Sequence, residues 1–376
     1  MASSLQRIMR NLSNLPGWRT KRKIIVFESD DWGSIRMPSL KAFQMLKEAG
    51  VDVRSRDAER YNLNDSLASS TDLEMLFEVL SASKDRSGHN AIFTPVSIVA
   101  NPDFQKIIDS NFQNYFYEPF IETLKRYPGC ERSFDLWKEG IEKNIFVPQM
   151  HGREHLNVAA WMKALQKGDR QTRMAFDQGL WGFVPDQDKL TGVDFQAAFL
   201  LGDPIELEQH KRIIEEGLNL FEKLFGYRPE YFVPPNGPFN NDLNKTLVKN
   251  GIKYRSASKI QNEPLGNGET KKVIHWLGQR DRSGLRYITR NCFFEPSQPG
   301  KDWVDGCLND IKIAFRWNKP AIISSHRVNY IGSLNPSNRD NGLQQLSKLL
   351  KRILKSWPDA EFMTTARLGA TMFQGK

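Results

Sequence analysis

Lys23-Ile24-Ile25-Val26-Phe27-Glu28-Ser29-Asp30-Asp31 is the stretch on which the reading of this chain turns. Its apolar run, mostly β-branched, reads as a strand buried on both faces, the kind that builds parallel sheets. Two acids stand at its end. Further on, Asn144-Ile145-Phe146-Val147-Pro148-Gln149-Met150 leads into His151 and, four residues later, His155. Ala321-Ile322-Ile323-Ser324-Ser325 leads into His326. Three strand-like runs thus each deliver metal-ligand or acid–base side chains at their C-terminal ends. In barrels of parallel strands, chemistry is assembled on that face.

Outward from these runs, short apolar segments alternate with amphipathic helical patterns, the α/β signature. Further strands are predicted at 90–96, 230–233, 251–255, 285–289 and 360–364. Helices are predicted at 39–49, near 118–127 and 133–143, and from Asn157 through Leu165. Thr71-Asp72-Leu73-Glu74 has the capping-box form and opens another. Glu206 to Phe225 is strongly amphipathic and is stopped by Gly226 and Pro229. A last helix is expected from Gly342 to Trp357, ended by Pro358. Seven or eight strands with intervening helices predict one (β/α) barrel domain over residues 1–376, regular or distorted, with a doubly wound open sheet as the alternative. The stretch 168–203, rich in Gly, Asp, Gln and aromatics without clear periodicity, is expected to be an insertion or lid over the barrel mouth.

A hydrophobic content of 39%, with 23 Phe and 9 Trp, supplies a sizeable core. The formal charge of +9 suits an anionic partner. The charges are dispersed, however, and neither a basic–aromatic ladder nor a zinc module points to nucleic acid. Cys130, Cys292 and Cys307 are too few and too scattered for a disulfide framework. Met1 to Trp18 shows no sustained apolar h-region, and no segment reaches the apolar length of a membrane span. Cytoplasmic residence is the expectation.

The chemistry-bearing residues narrow the reading. His151-Gly152-Arg153-Glu154-His155 holds two of only six histidines, and a spacing of four lets both imidazoles meet one divalent ion from a helix face or a tight turn. Hydrolytic zinc sites take three protein ligands and leave a position for water. Asp31 or Asp30 is the natural third ligand, and the other acid could then take a proton from the water. Just past a strand end the chain can aim both acids inward. His326, among Ser324, Ser325, Arg327 and Asn329, is a candidate general acid. His89, His210 and His275 are assigned to structure or surface.

Taken together, these residues resemble the polysaccharide deacetylase family (NodB homology, carbohydrate esterase family 4 type) of the glycoside hydrolase/deacetylase barrel superfamily. Phe27-Glu28-Ser29-Asp30-Asp31 is similar to the family's first motif, Thr-Phe-Asp-Asp, which implies Asp30 as catalytic base and Asp31 as metal ligand. His151 and His155 match the second, His-(Ser/Thr)-x-x-His, which implies that they complete the metal triad. Tyr231-Phe232-Val233-Pro234-Pro235-Asn236-Gly237 resembles the third, Phe-Arg-Pro-Pro-Tyr-Gly, and implies Pro235 and Asn236 near the substrate. Ile323-Ser324-Ser325-His326 resembles the last, Leu-x-His, whose histidine is the acid. The motifs occur in family order over roughly residues 23–330. The resemblance implies a Zn²⁺-type divalent cation and an acetylated carbohydrate substrate.

Several positions depart from the pattern. Gly152 replaces Ser/Thr, Asn236 replaces an aromatic, and Ser324 replaces a leucine. Val233 stands where the family has the arginine that orients the catalytic acid, and Arg255, on the next strand, is the candidate substitute. No acid-rich fourth motif is evident, although Asn291, Glu295, Asp302 and Trp303 fall in its interval. Trp181 is the candidate for stacking on a sugar ring. Two other readings remain: a carbohydrate-binding relative without turnover, encouraged by Val233, and an inverted zinc peptidase. The latter takes His151-x-x-Glu154-His155 literally as His-x-x-Glu-His, requires that motif inside a long helix, and leaves Asp30 and His326 unused.

Overall fold

The computed structural model describes residues 9–54, 58–183 and 195–374. In chain order its strands are β1 (Lys23–Trp32), β2 (Phe93–Ile98), β3 (Ala100–Pro102), β4 (Tyr117–Pro119), β5 (Gln149–Gly152), β6 (Tyr231–Phe232), β7 (Tyr254–Ser256), β8 (Ile260–Gly266), β9 (Glu269–Ile274), β10 (Arg286–Ile288), β11 (Cys292–Phe293), β12 (Ala321–His326) and β13 (Ala360–Phe362). The main sheet runs β10-β7-β6-β5-β2-β1-β12-β11, with β13 added beside β1. Every pairing in it is parallel. Two short antiparallel hairpins, β3-β4 and β8-β9, stand apart from it.

This is an α/β barrel whose ring is not closed by hydrogen bonds. The two ends of the sheet, β10 and β11, are joined in sequence by residues 289–291 alone. All eight predicted strands are present, the third displaced so that His151 lies within β5 rather than after it. The three-residue β3 and β4 and the two-residue β11 carry too few residues to leave a periodic signal, while β8 buries polar residues and β9 is polar and largely exposed.

Burial on both faces is plainest in β1. Ile25 and Phe27 pack outward with the layer of helices, while Ile24 and Val26 face an inner cluster with Val96, Tyr231, Ile288 and Ile322. Leu368 and Met372 of the C-terminal helix Thr365–Gln374 join that inner cluster. Helix Ser70–Ser81 begins two residues earlier than its sequence suggests: Ser69 is the cap, and Asp72 closes the box. Helix Leu207–Phe225 ends on Gly226 in the left-handed conformation, as its sequence implies. Helix Pro336–Ser356 starts six residues before Gly342, with proline at its N-terminal turn.

Phe176 and Trp181 from 168–183, and Phe195 and Phe199 from 195–203, are at most 2% exposed. These aromatics are core, not an open lid; residues 184–194 of the expected lid lie outside the described residues. The three cysteines are free and buried. Among the described residues, no helix is long and apolar enough to cross a membrane.

Candidate metal and catalytic site

Asp30 and Asp31 lie inside β1, not beyond its end, and a backbone irregularity turns both toward the cleft. The register of β1 against β2 shifts between Ser29 and Trp32, and Asp31 takes φ 75°. Such a bulge re-aims side chains that a regular strand would send to opposite faces. Trp32 then returns to the core, its indole donating to Ser29 Oγ at 2.9 Å. A left-handed aspartate is uncommon, and here it sits at the chemistry.

His151 leaves from β5 and His155 from the loop after it. The pair therefore meets across a strand end rather than along a helix. Gly152 explains its own departure from the Ser/Thr of the family motif. Its φ is 140°, and a Cβ there would come within 3.2 Å of the Glu154 carbonyl oxygen.

Asp31, His151 and His155 are all buried, and one donor atom from each lies within 4.8 Å of the others. Asp31 Oδ1 stands 3.5 Å from His151 Nε2 and 3.2 Å from His155 Nε2. Donors bonded at zinc distances in a tetrahedral shell sit about 3.3–3.5 Å apart. The hydrogen bonding favours a cation as well. His151 Nδ1 is 2.7 Å from the Val233 carbonyl oxygen, which can only accept, so that nitrogen carries the proton. In the neutral ring, the Nε2 lone pair then faces a carboxylate oxygen. Burial, against the pull of Asp31, pushes His155 down to about 4. Burial alone would raise the Asp31 carboxyl, but Arg36 and the two histidines outweigh it and hold the group well below its ordinary range. Arg36 approaches the other oxygen, Oδ2, at 3.4 Å. The donor set fits a divalent ion.

Beside this triad, in-register pairing of β1 with β12 sets Asp30 next to His326. Asp30 is gripped at both oxygens by Arg290, with Nη1–Oδ2 and Nη2–Oδ1 each 2.6 Å. Arg290 Nε also donates to Glu28 at 2.6 Å. Burial would raise the Asp30 carboxyl, and Arg290 reverses this and holds it below its usual value. Glu28, wholly buried, takes further hydrogen bonds from Tyr231 and Thr365. His326 donates Nδ1–H to Glu295 at 2.6 Å. Burial disfavours its charged form, but Glu295 dominates and raises it to about 9. Arg60 and Asn329 fix Glu295 in turn.

A cleft of about 630 Å³ is lined by Asp30, Asp31, His151, His155, Arg290 and His326, among others. Asn236 is at its rim with φ 54°, whereas Pro235 is buried behind Gly152. Arg255 is not on Asp30. It is fully buried, hydrogen-bonded to Asn241 and held over Phe239 and Tyr287. The guanidinium on Asp30 belongs to Arg290, from the connection between the two ends of the sheet. Trp181 is 1% exposed and lies against His155, with ring centroids 5.9 Å apart, so it backs a ligand instead of offering a free face to a sugar. Of the fourth-motif candidates, Glu295 alone reaches a catalytic side chain. Asn291 ties β12 to the N-terminal segment, Asp302 caps helix Trp303–Arg316, and Trp303 donates to a backbone carbonyl. Glu154 is 1% exposed, with both oxygens on Arg153, and no helix contains it, which removes the context a peptidase base requires.

No family model and no curated protein matches the chain. Among solved structures it is similar to one from Parabacteroides distasonis described as a glycoside hydrolase/deacetylase, at 10% identity over 95% of this chain and 73% of the other, with a TM-score of 0.48. It is similar to a 4-alpha-glucanotransferase from Thermococcus litoralis at 12% identity over 94% of this chain but only 40% of that one, TM-score 0.45. A polysaccharide deacetylase from Mycobacterium smegmatis is similar at 9% identity over 96% and 93% of the two chains, TM-score 0.43.

Proposed function

We propose that this chain is a metal-dependent hydrolase that removes an acetyl group from an acetylated sugar or polysaccharide. One observation carries the reading. One oxygen of the buried Asp31 carboxylate and the Nε2 atoms of His151 and His155 converge on one point, while Asp30 on Arg290 and His326 on Glu295 flank the same cleft. Asp31, His151 and His155 would hold the ion, with Zn²⁺ the best match to a set of two nitrogens and one oxygen. Bound there, a divalent cation would supply Lewis acidity, making water a nucleophile near neutral pH and polarising the acyl carbonyl.

The protein's own groups carry the protons. Asp30, kept ionised by Arg290, takes a proton as water adds to the acyl carbon. His326, kept protonated by Glu295, gives its proton to the departing amine or alcohol as the C–N or C–O bond breaks, and acetate is released. Binding without turnover loses its main support, because Arg290 takes the role left open by Val233.

The test is acetate release from acetylated amino sugars, with metal content measured on the same sample. Activity that falls on chelation, returns with Zn²⁺ and is lost in Asp30→Asn supports the reading. Undiminished activity in a His151→Ala/His155→Ala variant sinks it.

A further inference from the structure

The cleft continues away from the triad to a wall built by residues 9–19 and by the loop after β7. Arg10, Ser13, Asn14, Ser258 and Lys259 line this end. The cations of the cleft differ in what they already hold. Arg290 grips Asp30 and Glu28, Arg36 approaches Asp31 and Asp65, and Arg10 pairs with Asp310 at 2.6 Å. Lys259 alone makes no direct ion pair among the described residues; Asp310, paired with Arg10, acts on it only at longer range. Its ammonium donates to Ser13 Oγ at 3.0 Å. It is part-buried, and loss of water pushes its pKa down. An ammonium placed so, among hydroxyls and amides, gains most from an anion that accepts several hydrogen bonds.

The wall is braced rather than loose. The Lys259 carbonyl accepts from His275 N–H at 2.9 Å. Lys319, 2% exposed, donates to the carbonyls of Pro16, Gly17 and Trp18 at 2.6–2.8 Å, tying the N-terminal segment to the start of β12.

We propose that Lys259 is the anion-binding residue of a second subsite, so that the substrate is an acetylated sugar carrying a carboxylate or phosphate group. This rests on the hydrolytic reading only for where the acetyl group lies, because the anion subsite can be tested without turnover.

The probes are N-acetylglucosamine, its 6-phosphate and an N-acetylated uronic acid, titrated into the full chain by calorimetry at low and moderate salt. The expected result is at least tenfold tighter binding of one or both charged sugars than of the neutral one. That advantage should shrink with salt, disappear in Lys259→Met and persist in Lys259→Arg. Phosphate or carboxylate is identified by which charged probe gains. Equal affinities for all three probes overturn the proposal. So does a Lys259→Met variant that weakens neutral and charged sugars alike and melts lower, since Lys259 would then serve only to hold the 9–19 segment. Acetate release is followed in parallel on the neutral sugar. Release without charge preference rejects the anion subsite and leaves the hydrolase. Charge preference without release keeps the subsite and counts against the hydrolase.

Discussion

Two halves of one cleft hold their charges in opposite ways. Around Asp31, a carboxylate oxygen and two imidazole nitrogens converge with no protein cation between them; Arg36 touches only the far oxygen. Beside it, Asp30 and His326 each arrive with a counter-charge already in place, Arg290 and Glu295. The first half offers a donor set that a cation could join, whereas the charges of the second are paired within the chain. The difference teaches which residues a metal should stabilise and which the fold itself depends on, since a charge pair broken inside a protein costs far more than an empty ligand cage.

The largest effect expected from this contrast is in the His151→Ala/His155→Ala variant. Acetate release should fall to the level of buffer, and Zn²⁺ should no longer raise the melting temperature. In the unaltered protein, Zn²⁺ at a hundredfold excess over its Kd should add about 2.7 kcal/mol. A melting temperature that rises equally in both proteins would place the ion elsewhere. Asp30→Asn should come next, with kcat down by about 10²–10⁴, the range for loss of a general base, and with metal content unchanged. Loss of metal in this variant would erase the boundary between the two halves.

Arg290→Met should lower stability by about 3–5 kcal/mol in denaturant titrations, because Glu28 and Asp30 would remain buried without their shared cation. Burial, then unopposed, would raise Asp30. The acid limb of kcat/KM should therefore move to higher pH. A variant as stable as the parent would mean that the second half is not self-contained.

Much of this cleft was legible in the sequence, and the illegible part follows one rule. Asp30, Asp31, His151 and His326 end or lie within apolar runs, where strand periodicity is strong and the C-terminal face is predictable. Their counter-charges lie far away in sequence: Arg290 is 260 residues from Asp30. Arg290 follows the predicted strand 285–289, so the strand-end rule already pointed to it. Position on the next strand points to Arg255, but its side chain goes to Asn241 and not to Asp30. What fixes where the 289–291 connection lies is β11, two residues long and without a periodic pattern of its own. Trp181 departs from its expected place for a different reason. Aromatic content is the same for a lid and for a core, and only burial separates them.

The smallest effect sharpens the comparison most, because it isolates one pair. Against burial, which pushes the ring down, His326 stays protonated up to about 9 chiefly through Glu295, with Asp31 and Asp30 adding to it. The donor form should therefore prevail through neutral pH, and turnover should decline as pH rises past about 9. In Glu295→Gln the largest raising influence is gone, while burial and the weaker pull of Asp31 and Asp30 remain. The alkaline limb should move to lower pH, so that at pH 8 kcat falls while little changes at pH 5.5. Stability has the same sign. A folded pKa above the unfolded one contributes fully below about 6.5 and is lost as pH rises through about 9. The parent should thus lose melting temperature across that interval, and Glu295→Gln should stay nearly flat. If both proteins keep the same alkaline limb, His326 is not the proton donor, and the second half of the cleft would hold a base without an acid.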